Sequence, residues 1–254
     1  MAQYTYGYKP DNHDKSKDWH YSVCLKSEHL AVLPPAVDLS KEPQPPIYDQ
    51  GSIGSCVDNA GCACLGFVEA KEGNHPEQLS RLFAYFMARH GVPQDTGSTL
   101  FDFLDGIRRK GICLETSWPY DLSRWTEIPS AAAFAEAAHR EKGVNFYRLS
   151  TVLDMKNCLA QKYPFIFGIA VYQSFEQPGP DAHGMIPMPD TASEPLLGGH
   201  ALACFGYDDS KQAFLFRNSW GPSWALHGWA WIPYAYVSNS NLMMDAWTIR
   251  KIAK

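Results

Sequence analysis

The chain has 254 residues, 45% of them hydrophobic and 19% charged, which is enough for one large domain or two lobes around a sizeable core. Its net charge of −5 argues against a nucleic-acid-binding surface and a polybasic membrane anchor. The longest apolar stretch, 165–172, is far too short to span a bilayer.

The N-terminus has no basic start followed by an apolar run, the pattern of a secretory signal. We therefore expect no nucleic-acid or membrane partner. We also expect a protein that stays in the cytoplasm, leaves it by a route not encoded at the N-terminus, or has lost a leader.

The seven cysteines are an odd number, so at least one thiol is unpaired or pairs outside the chain. No Cys-x-x-Cys pair occurs. Cys62 and Cys64 would face different sides of a helix, which is unsuitable for a shared metal. We expect neither a metal nor a cofactor.

Residues 1–33 are polar and aromatic and show no strong periodicity. We favour a surface extension here, because termini are often loosely held. The alternative is a segment that lies over the functional cleft. Residues 34–46 hold five prolines and predict extended, semi-rigid chain.

The stretch 48–69 places a glutamine, a glycine-rich turn and Cys56 directly before an apolar run. Gly51 and Gly54 permit a tight turn because glycine accepts positive φ at little cost. The run predicts a largely buried helix from about residue 55 to about residue 72. Unpaired N–H groups and the dipole at its first turn would lower the pKa of the Cys56 thiol and favour the reactive thiolate. The competing interpretation is a small buried side chain, the usual state of a free cysteine.

The rest of the chain divides into a helical part and a β part. Further helices are predicted over residues 79–91, 100–110, 131–141 and 151–162. Strands are predicted over residues 164–172, 200–208, 213–220, 229–232 and 246–249. This order predicts two lobes, about 50–150 and about 151–254, with the catalytic groups divided between them. Residues 176–198, rich in Pro, Gly and Asp, predict a long surface loop.

His200 and Asn218 are the candidate partners of the cysteine, since a thiol nucleophile needs a base and the base needs an orienting group. His200 follows two glycines and begins an apolar strand, although a core or strand-edge histidine fits this position equally well. If the strands on either side of the 208–212 turn pair, Asn218 would lie beside His200. Trp220 would then shield their hydrogen bond from water, or simply pack in the core.

Three ordered segments resemble the papain-like (C1) cysteine peptidases: Gln50 with Gly-Ser-Cys at 54–56, Gly-His-Ala at 199–201, and Asn-Ser-Trp-Gly at 218–221. His200 follows Cys56 at a separation within the about 130–150 residues typical of that family, and Asn218 lies slightly beyond it. The likeness extends from about residue 33 to residue 249. The first residues are similar to those of prokaryotic-type members without a long propeptide.

The resemblance implies an α+β, two-lobe fold with a helical left lobe, an antiparallel β-barrel-like right lobe and the active-site cleft between them. It implies Cys56 as nucleophile, His200 as base and acid, Asn218 as orienting residue and Gln50 as the oxyanion-hole side chain. Residues 34–254 would form the peptidase domain. Residues 1–33 would be an N-terminal extension that acts as an intramolecular inhibitor if it plugs the cleft.

The resemblance also implies which residues bind substrate. They are Gly97, Ser98, Thr99, Leu100, Gly168, Gly198, Gly199, Ala201 and Trp220. Residues 97–100 would line the non-primed side of the cleft. Gly168, Gly198 and Ala201 would bound the main specificity pocket, and such small residues predict a roomy apolar pocket for a bulky hydrophobic or aromatic side chain. Two positions depart from the family pattern. Val57 replaces the tryptophan after the nucleophile, and Ile53 replaces a half-cystine, which puts the family's disulfide framework in doubt.

We therefore predict a cysteine endopeptidase that hydrolyses peptides or proteins through a thiolate–imidazolium pair and an acyl-enzyme. Two alternatives stay open. One is a thiol acyltransferase or transpeptidase that uses the same site with an amine acceptor. The other is a non-catalytic peptide-binding protein, although a binder has no need of Gln50, Cys56, His200 and Asn218 together.

Overall fold

The structure, a computed structural model, describes residues 4–25, 32–73, 77–140, 144–176 and 184–251. The helices are α1 (Tyr21–Cys24), α2 (Cys56–Lys71), α3 (Arg81–Ala88), α4 (Leu100–Lys110), α5 (Ala131–His139), α6 (Val152–Ala160), α7 (Gln173–Glu176) and α8 (Tyr234–Val237). The strands are β1 (Tyr8–Lys9), β2 (Ala36–Asp38), β3 (Ser98–Thr99), β4 (Val144–Arg148), β5 (Phe165–Tyr172), β6 (Leu196–Asp208), β7 (Ala213–Arg217), β8 (Trp229–Pro233) and β9 (Met243–Lys251).

Helix α2 is enclosed by the rest of the protein because most of its side chains are small or apolar. Every residue from Cys56 to Glu69 is buried, and the helix contacts β5 and β6 as well as α3 and α4. A Cβ at Gly61 would overlap the ring of Phe103, so α4 packs closely there. Although α2 is the longest of the described helices, none of them combines the length and apolar character needed to cross a bilayer.

The second half of the chain forms a seven-stranded antiparallel sheet in the order β4-β9-β5-β6-β7-β8, with β2 also paired to β6. The predicted α+β class is confirmed, but the barrel-like shape is wrong for the described strands, because no pairing joins β4 to β8. Irregular chain covers both outer strands instead. Arg148 of β4 bridges to His20, and Trp231 of β8 bridges to Met185. These contacts protect the sheet edges without closing them.

Residues 4–25, called the N-terminal segment below, pack into the protein. Tyr8, Asp11 and Tyr21 are buried, and β1 pairs in parallel with β3. The backbone N–H of Arg148 donates to the carbonyl oxygen of Trp19 at 2.8 Å. The favoured prediction of a surface extension is therefore wrong for these residues.

The five predicted helices correspond to α2 through α6, and α4 has the predicted bounds. The predicted strands correspond to β5 through β9, but β6 begins at Leu196, inside the predicted 176–198 loop. Residues 177–183 of that loop lie outside the described residues. All seven cysteines are among the described residues and are free, in agreement with the missing half-cystine at Ile53.

Candidate active site

The Cys56 side chain lies at the start of α2, where helix N–H groups have no partner within the helix. Its sulfur is fully buried and interacts with the backbone N–H of Ala201, on β6, and of Gly7, in the N-terminal segment. The preceding Ser55 hydroxyl and the Tyr120 hydroxyl are 2.5 Å apart, which fixes the entry of the chain into the helix. The thiol thus lies where helix, sheet and N-terminal segment meet.

His200 and Asn218 meet beside this helix, as the hairpin of β6 and β7 predicts. Their Nε2 and Oδ1 atoms are 2.7 Å apart, and both residues are buried. Asn218 Oδ1 also accepts the N–H of Ser219 at 2.8 Å, which orients the amide. Trp220 stacks on the imidazole with 4.7 Å between ring centroids. Within the described residues His200 Nδ1 has no hydrogen bond, so it is the ring nitrogen left to exchange a proton with a thiol.

Gln50 is fully buried and is held at both ends. Its Oε1 accepts the Ser219 hydroxyl at 2.7 Å, and its main-chain oxygen accepts the Tyr120 hydroxyl at 2.9 Å. Its Nε2 is thereby directed at two carbonyl oxygens, that of Ile53 at 3.0 Å and that of Thr5 at 3.1 Å. Thr5 belongs to the N-terminal segment. A main-chain carbonyl of the protein itself therefore accepts the hydrogen bond that Gln50 Nε2 is predicted to donate to an oxyanion.

Aromatic side chains of the N-terminal segment cover the imidazole and its tryptophan. Tyr4 stacks on Trp220 with 3.8 Å between ring centroids and an interplanar angle of 3°. Tyr6 meets His200 edge to face at 5.9 Å and donates its hydroxyl to Glu176 at 2.6 Å. Beneath these rings His200 is fully buried and only 5% of Trp220 is exposed.

The main chain of the segment approaches the site through glycines. A Cβ at Gly7 would overlap the backbone of Gly54, and a Cβ at Gly97 would overlap the backbone of Gly7. The carbonyl of Gly7 accepts the N–H of Ser98 at 2.8 Å. Close approach at this crossing therefore requires glycine on both sides.

Most residues predicted to bind substrate lie along the N-terminal segment. Those in contact with it are Gly97, Ser98, Thr99, Gly168, Gly198, Gly199 and Trp220. Ala201 instead directs its N–H at the Cys56 sulfur, and Leu100 is buried as the first residue of α4.

Sequence reasoning named residues 1–33 as a possible plug of the cleft but assigned no individual residue of that segment to the site. Tyr4, Tyr6 and Tyr8 were not assigned, although tyrosine at alternate positions is a strand-like signal. Asp245 was also missed, and the Tyr8 hydroxyl donates to its Oδ2 at 2.6 Å. No local pattern around Asp245 marks it, so the predicted apolar pocket has a carboxylate that the sequence did not indicate.

Burial sets the protonation of the two central groups. It raises the pKa of the Cys56 thiol to about 11, although N–H groups of Ala201 and Gly7 act in the opposite direction. It lowers the pKa of His200 to about 4, against a smaller upward effect of Asn218. The predicted lowering of the thiol pKa is therefore wrong for this conformation, because loss of water outweighs the helix terminus. Between these pKa values both groups are neutral.

Comparison with known proteins finds a family model, curated sequences and solved structures that are similar to this chain. The family model described as "Papain family cysteine protease" matches residues 33–248. An uncharacterized peptidase C1-like protein of Acanthamoeba polyphaga mimivirus is 32% identical over 216 residues, which cover 80% of this chain and 69% of that protein. Cysteine proteinase 1 of Entamoeba histolytica is 25% identical, and the match covers 77% of this chain and 62% of that protein.

A similar solved structure is that of xylellain, a cysteine protease from Xylella fastidiosa. It is 34% identical, with a TM-score of 0.87, and the match covers 98% of this chain and 96% of that chain. The likeness thus includes the N-terminal segment, whereas the family model begins only at residue 33.

The buried imidazole predicts a pH dependence of stability. His200 has a pKa of about 4 against its ordinary 6.5, so between these values the unfolded chain binds a proton that the folded protein does not. Stability should therefore fall as the pH falls through this window, by up to about 1.4 kcal/mol per pH unit. His200→Asn should lack this contribution. Urea unfolding of both proteins from pH 7 to pH 4 should show the stability of the native protein falling more steeply, and parallel curves would contradict the assignment.

Proposed function

Because the chain belongs to the papain family of cysteine proteases, we propose that it hydrolyses peptide bonds with Cys56 as nucleophile, His200 as base and acid, and Asn218 as orienting residue. The peptidase domain would begin at about residue 34 and extend to residue 254. The helical lobe, about 50–150, would supply the thiol, and the β lobe, about 151–254, would supply the imidazole.

The proposed reaction has two steps, formation of an acyl-enzyme on Cys56 and its hydrolysis, and His200 transfers a proton in each. The Cys56 thiolate attacks the carbonyl carbon of the peptide, and the negative charge moves to the carbonyl oxygen. Gln50 Nε2 and the backbone N–H of Cys56 stabilise that charge, by about 3–4 kcal/mol per donor in comparable sites. His200, which holds the proton taken from the thiol, protonates the leaving amine as the C–N bond breaks. Water then attacks the thioester with His200 as base, the C–S bond breaks, and the carboxylic acid and the Cys56 thiolate are released. Asn218 fixes the ring without adding a charge that would compete with the thiolate.

The observation that carries this proposal is a peptide main chain already lying on these groups. The Thr5 carbonyl accepts a hydrogen bond from Gln50 Nε2, and the Gly7 N–H interacts with the Cys56 sulfur. A site that holds carbonyl and amide groups of a polypeptide against a thiol has the chemistry needed for a peptide substrate.

In the same proposal the N-terminal segment is an intramolecular inhibitor. Its Thr5 carbonyl accepts the hydrogen bond that Gln50 Nε2 would donate to an oxyanion. Tyr6 packs on His200 and the Gly7 N–H contacts the Cys56 sulfur, and both of these candidate groups are fully buried. The resulting neutral thiol and neutral imidazole are unreactive. Displacement of the segment would rehydrate both groups, and the helix terminus would then favour the thiolate.

A thiol-directed peptidyl epoxide tests the nucleophile. In the presence of reductant it should modify Cys56 and none of the other six cysteines, as measured by mass spectrometry of peptides. His200→Asn should slow the labelling by about 10²–10⁴-fold, because the base is lost. The matched control is His139→Asn, since His139 is exposed on α5 and should leave the rate unchanged.

The outcomes of the same assay separate the alternatives. Absence of labelling of Cys56, both in the native protein and after displacement of the N-terminal segment, would contradict a peptidase. With a peptide substrate, hydrolysis products should dominate when an amine acceptor is added. A dominant transfer product would identify an acyltransferase instead.

The inhibitory role of the segment predicts activation by a single substitution. Tyr4→Ala removes the ring stacked on Trp220, and kcat/KM on a small peptide should rise at least about tenfold, since aromatic contact and burial together contribute about 2–4 kcal/mol. Trp19→Ala is the matched control, because its ring lies near Tyr147 on β4, away from the imidazole. Equal kcat/KM values for the native protein and Tyr4→Ala would refute occlusion.

A further inference from the structure

The side chain of Tyr8 fills a narrow pocket beside the thiol. Only 4% of Tyr8 is exposed. A Cβ at Gly168 would overlap its ring, and a Cβ at Gly199 would overlap its carbonyl oxygen. Tyr8 follows Gly7, whose N–H interacts with the Cys56 sulfur. The pocket therefore receives a side chain next to the residue that lies at the nucleophile.

The end of this pocket is the carboxylate of Asp245, a residue only 1% exposed. The two carboxylate oxygens have different partners. Oδ1 accepts from Lys15 Nζ and Arg148 Nη1, both at 2.7 Å. Oδ2 accepts from the Tyr8 hydroxyl at 2.6 Å and from the backbone N–H of Asp11 at 2.8 Å. Burial opposes ionisation of Asp245, but the hydrogen bonds from Lys15, Tyr8, Asp11 and Arg148 outweigh it and lower its pKa.

Displacement of the N-terminal segment would remove every donor of Asp245 Oδ2 that the described residues supply, but would leave one donor on Oδ1. Arg148 lies on β4 and stays on Oδ1, so the negative charge of Asp245 remains neutralised. Both donors that the described residues direct at Oδ2, the Tyr8 hydroxyl and the Asp11 N–H, leave with the segment. The open pocket would then hold a buried acceptor without a donor, at the end of a slot shaped for an aromatic ring.

We propose that this pocket selects substrates with a tyrosine side chain, whose hydroxyl donates to Asp245 Oδ2 as the Tyr8 hydroxyl does. The inference rests on the proposed peptidase function and names Asp245 as a residue that determines specificity. Phenylalanine would fill the slot but leave the acceptor unpaired, which is costly in a buried site. A lysine or arginine side chain would bring a second cation beside Arg148.

The test is a competition between probes on the full chain. Peptidyl epoxides that differ only in Tyr, Phe or Arg are mixed in equal amounts and in excess over the protein, with the variable residue first or second from the reactive group. Mass spectrometry counts the adducts on Cys56. Because all probes compete after the same opening of the segment, the adduct ratio reports the pocket even if opening limits the rate. The Tyr adduct should exceed the Phe adduct about tenfold or more at one of the two positions, as expected for a hydrogen bond to a charged acceptor.

Asp245→Asn keeps the shape of the side chain and should lower the Tyr-to-Phe ratio at least about threefold, because a neutral acceptor binds more weakly. Asp209→Asn is the matched control. Asp209 also accepts a tyrosine hydroxyl, that of Tyr234 at 2.8 Å, and pairs with Lys156 at 2.7 Å, but it lies beyond the far end of β6. It should keep the native ratio.

Equal Tyr and Phe adducts on the native chain, or an excess of the Arg adduct, would overturn the inference even if Asp245→Asn does not fold. An unchanged ratio in a folded Asp245→Asn protein would also overturn it. In each of these cases labelling of Cys56 would leave the proposed peptidase intact. Absence of any adduct on Cys56 would overturn the proposed function and this inference together.

Discussion

The contact on which this structure depends is the crossing at Gly7, where the main chain of the N-terminal segment meets the main chain at Gly54 and at Gly97. Its backbone lies so close to Gly54 and Gly97 that a side chain at any of the three would collide or be severely crowded. Because the chains can approach, the Gly7 N–H reaches the Cys56 sulfur and the Thr5 carbonyl reaches Gln50. Desolvation of the thiol follows from this crossing, and with it the raised thiol pKa.

A cluster of buried charges holds the same segment against the sheet. Arg148 pairs with Asp11 and Asp18 of the segment at 2.9 and 2.5 Å, and with Asp245 of β9 at 2.7 Å. Trp247 donates its indole N–H to Asp11 at 2.9 Å. Buried ion pairs contribute little net stability, but they fix geometry because an unpaired partner is strongly unfavourable. This cluster therefore fixes the register in which Tyr4 and Tyr6 pack against Trp220 and His200.

How far the sequence predicts this molecule depends on the range of the interactions. Helix α4 was predictable at both ends, since Thr99 caps its start and Gly111, with φ of 76°, ends it. The contact between His200 and Asn218 was predictable because a hairpin fixes which residues lie side by side. The open shape of the sheet was not predictable, because closure of the sheet into a barrel depends on which parts of the chain cover its outer strands.

The individual contacts that the N-terminal segment makes in the candidate site lay beyond sequence reasoning for the same reason. Tyr8 and Asp245 are 237 positions apart, and nothing near either residue indicates the other. The helix terminus at Cys56 predicted a lowered thiol pKa, but the effect of burial depends on a segment at the opposite end of the chain. Local pattern predicted the candidate reactive groups, whereas their protonation and the pocket beside them are set by long-range packing.

The most direct test of this account is the accessibility of the Cys56 thiol after substitution at the crossing. Gly7→Ala places a methyl group against the Gly54 backbone, so the segment should be expelled. Alkylation of Cys56 by iodoacetamide at pH 8, followed by mass spectrometry, should become about tenfold faster or more, as expected from overpacking of about 1–3 kcal/mol. Gly106→Ala should keep the native rate, because the nearest atom to its new methyl group would be Met87 Cβ at 3.6 Å. Equal rates for Gly7→Ala and the native protein would contradict the claim that the crossing shields the thiol.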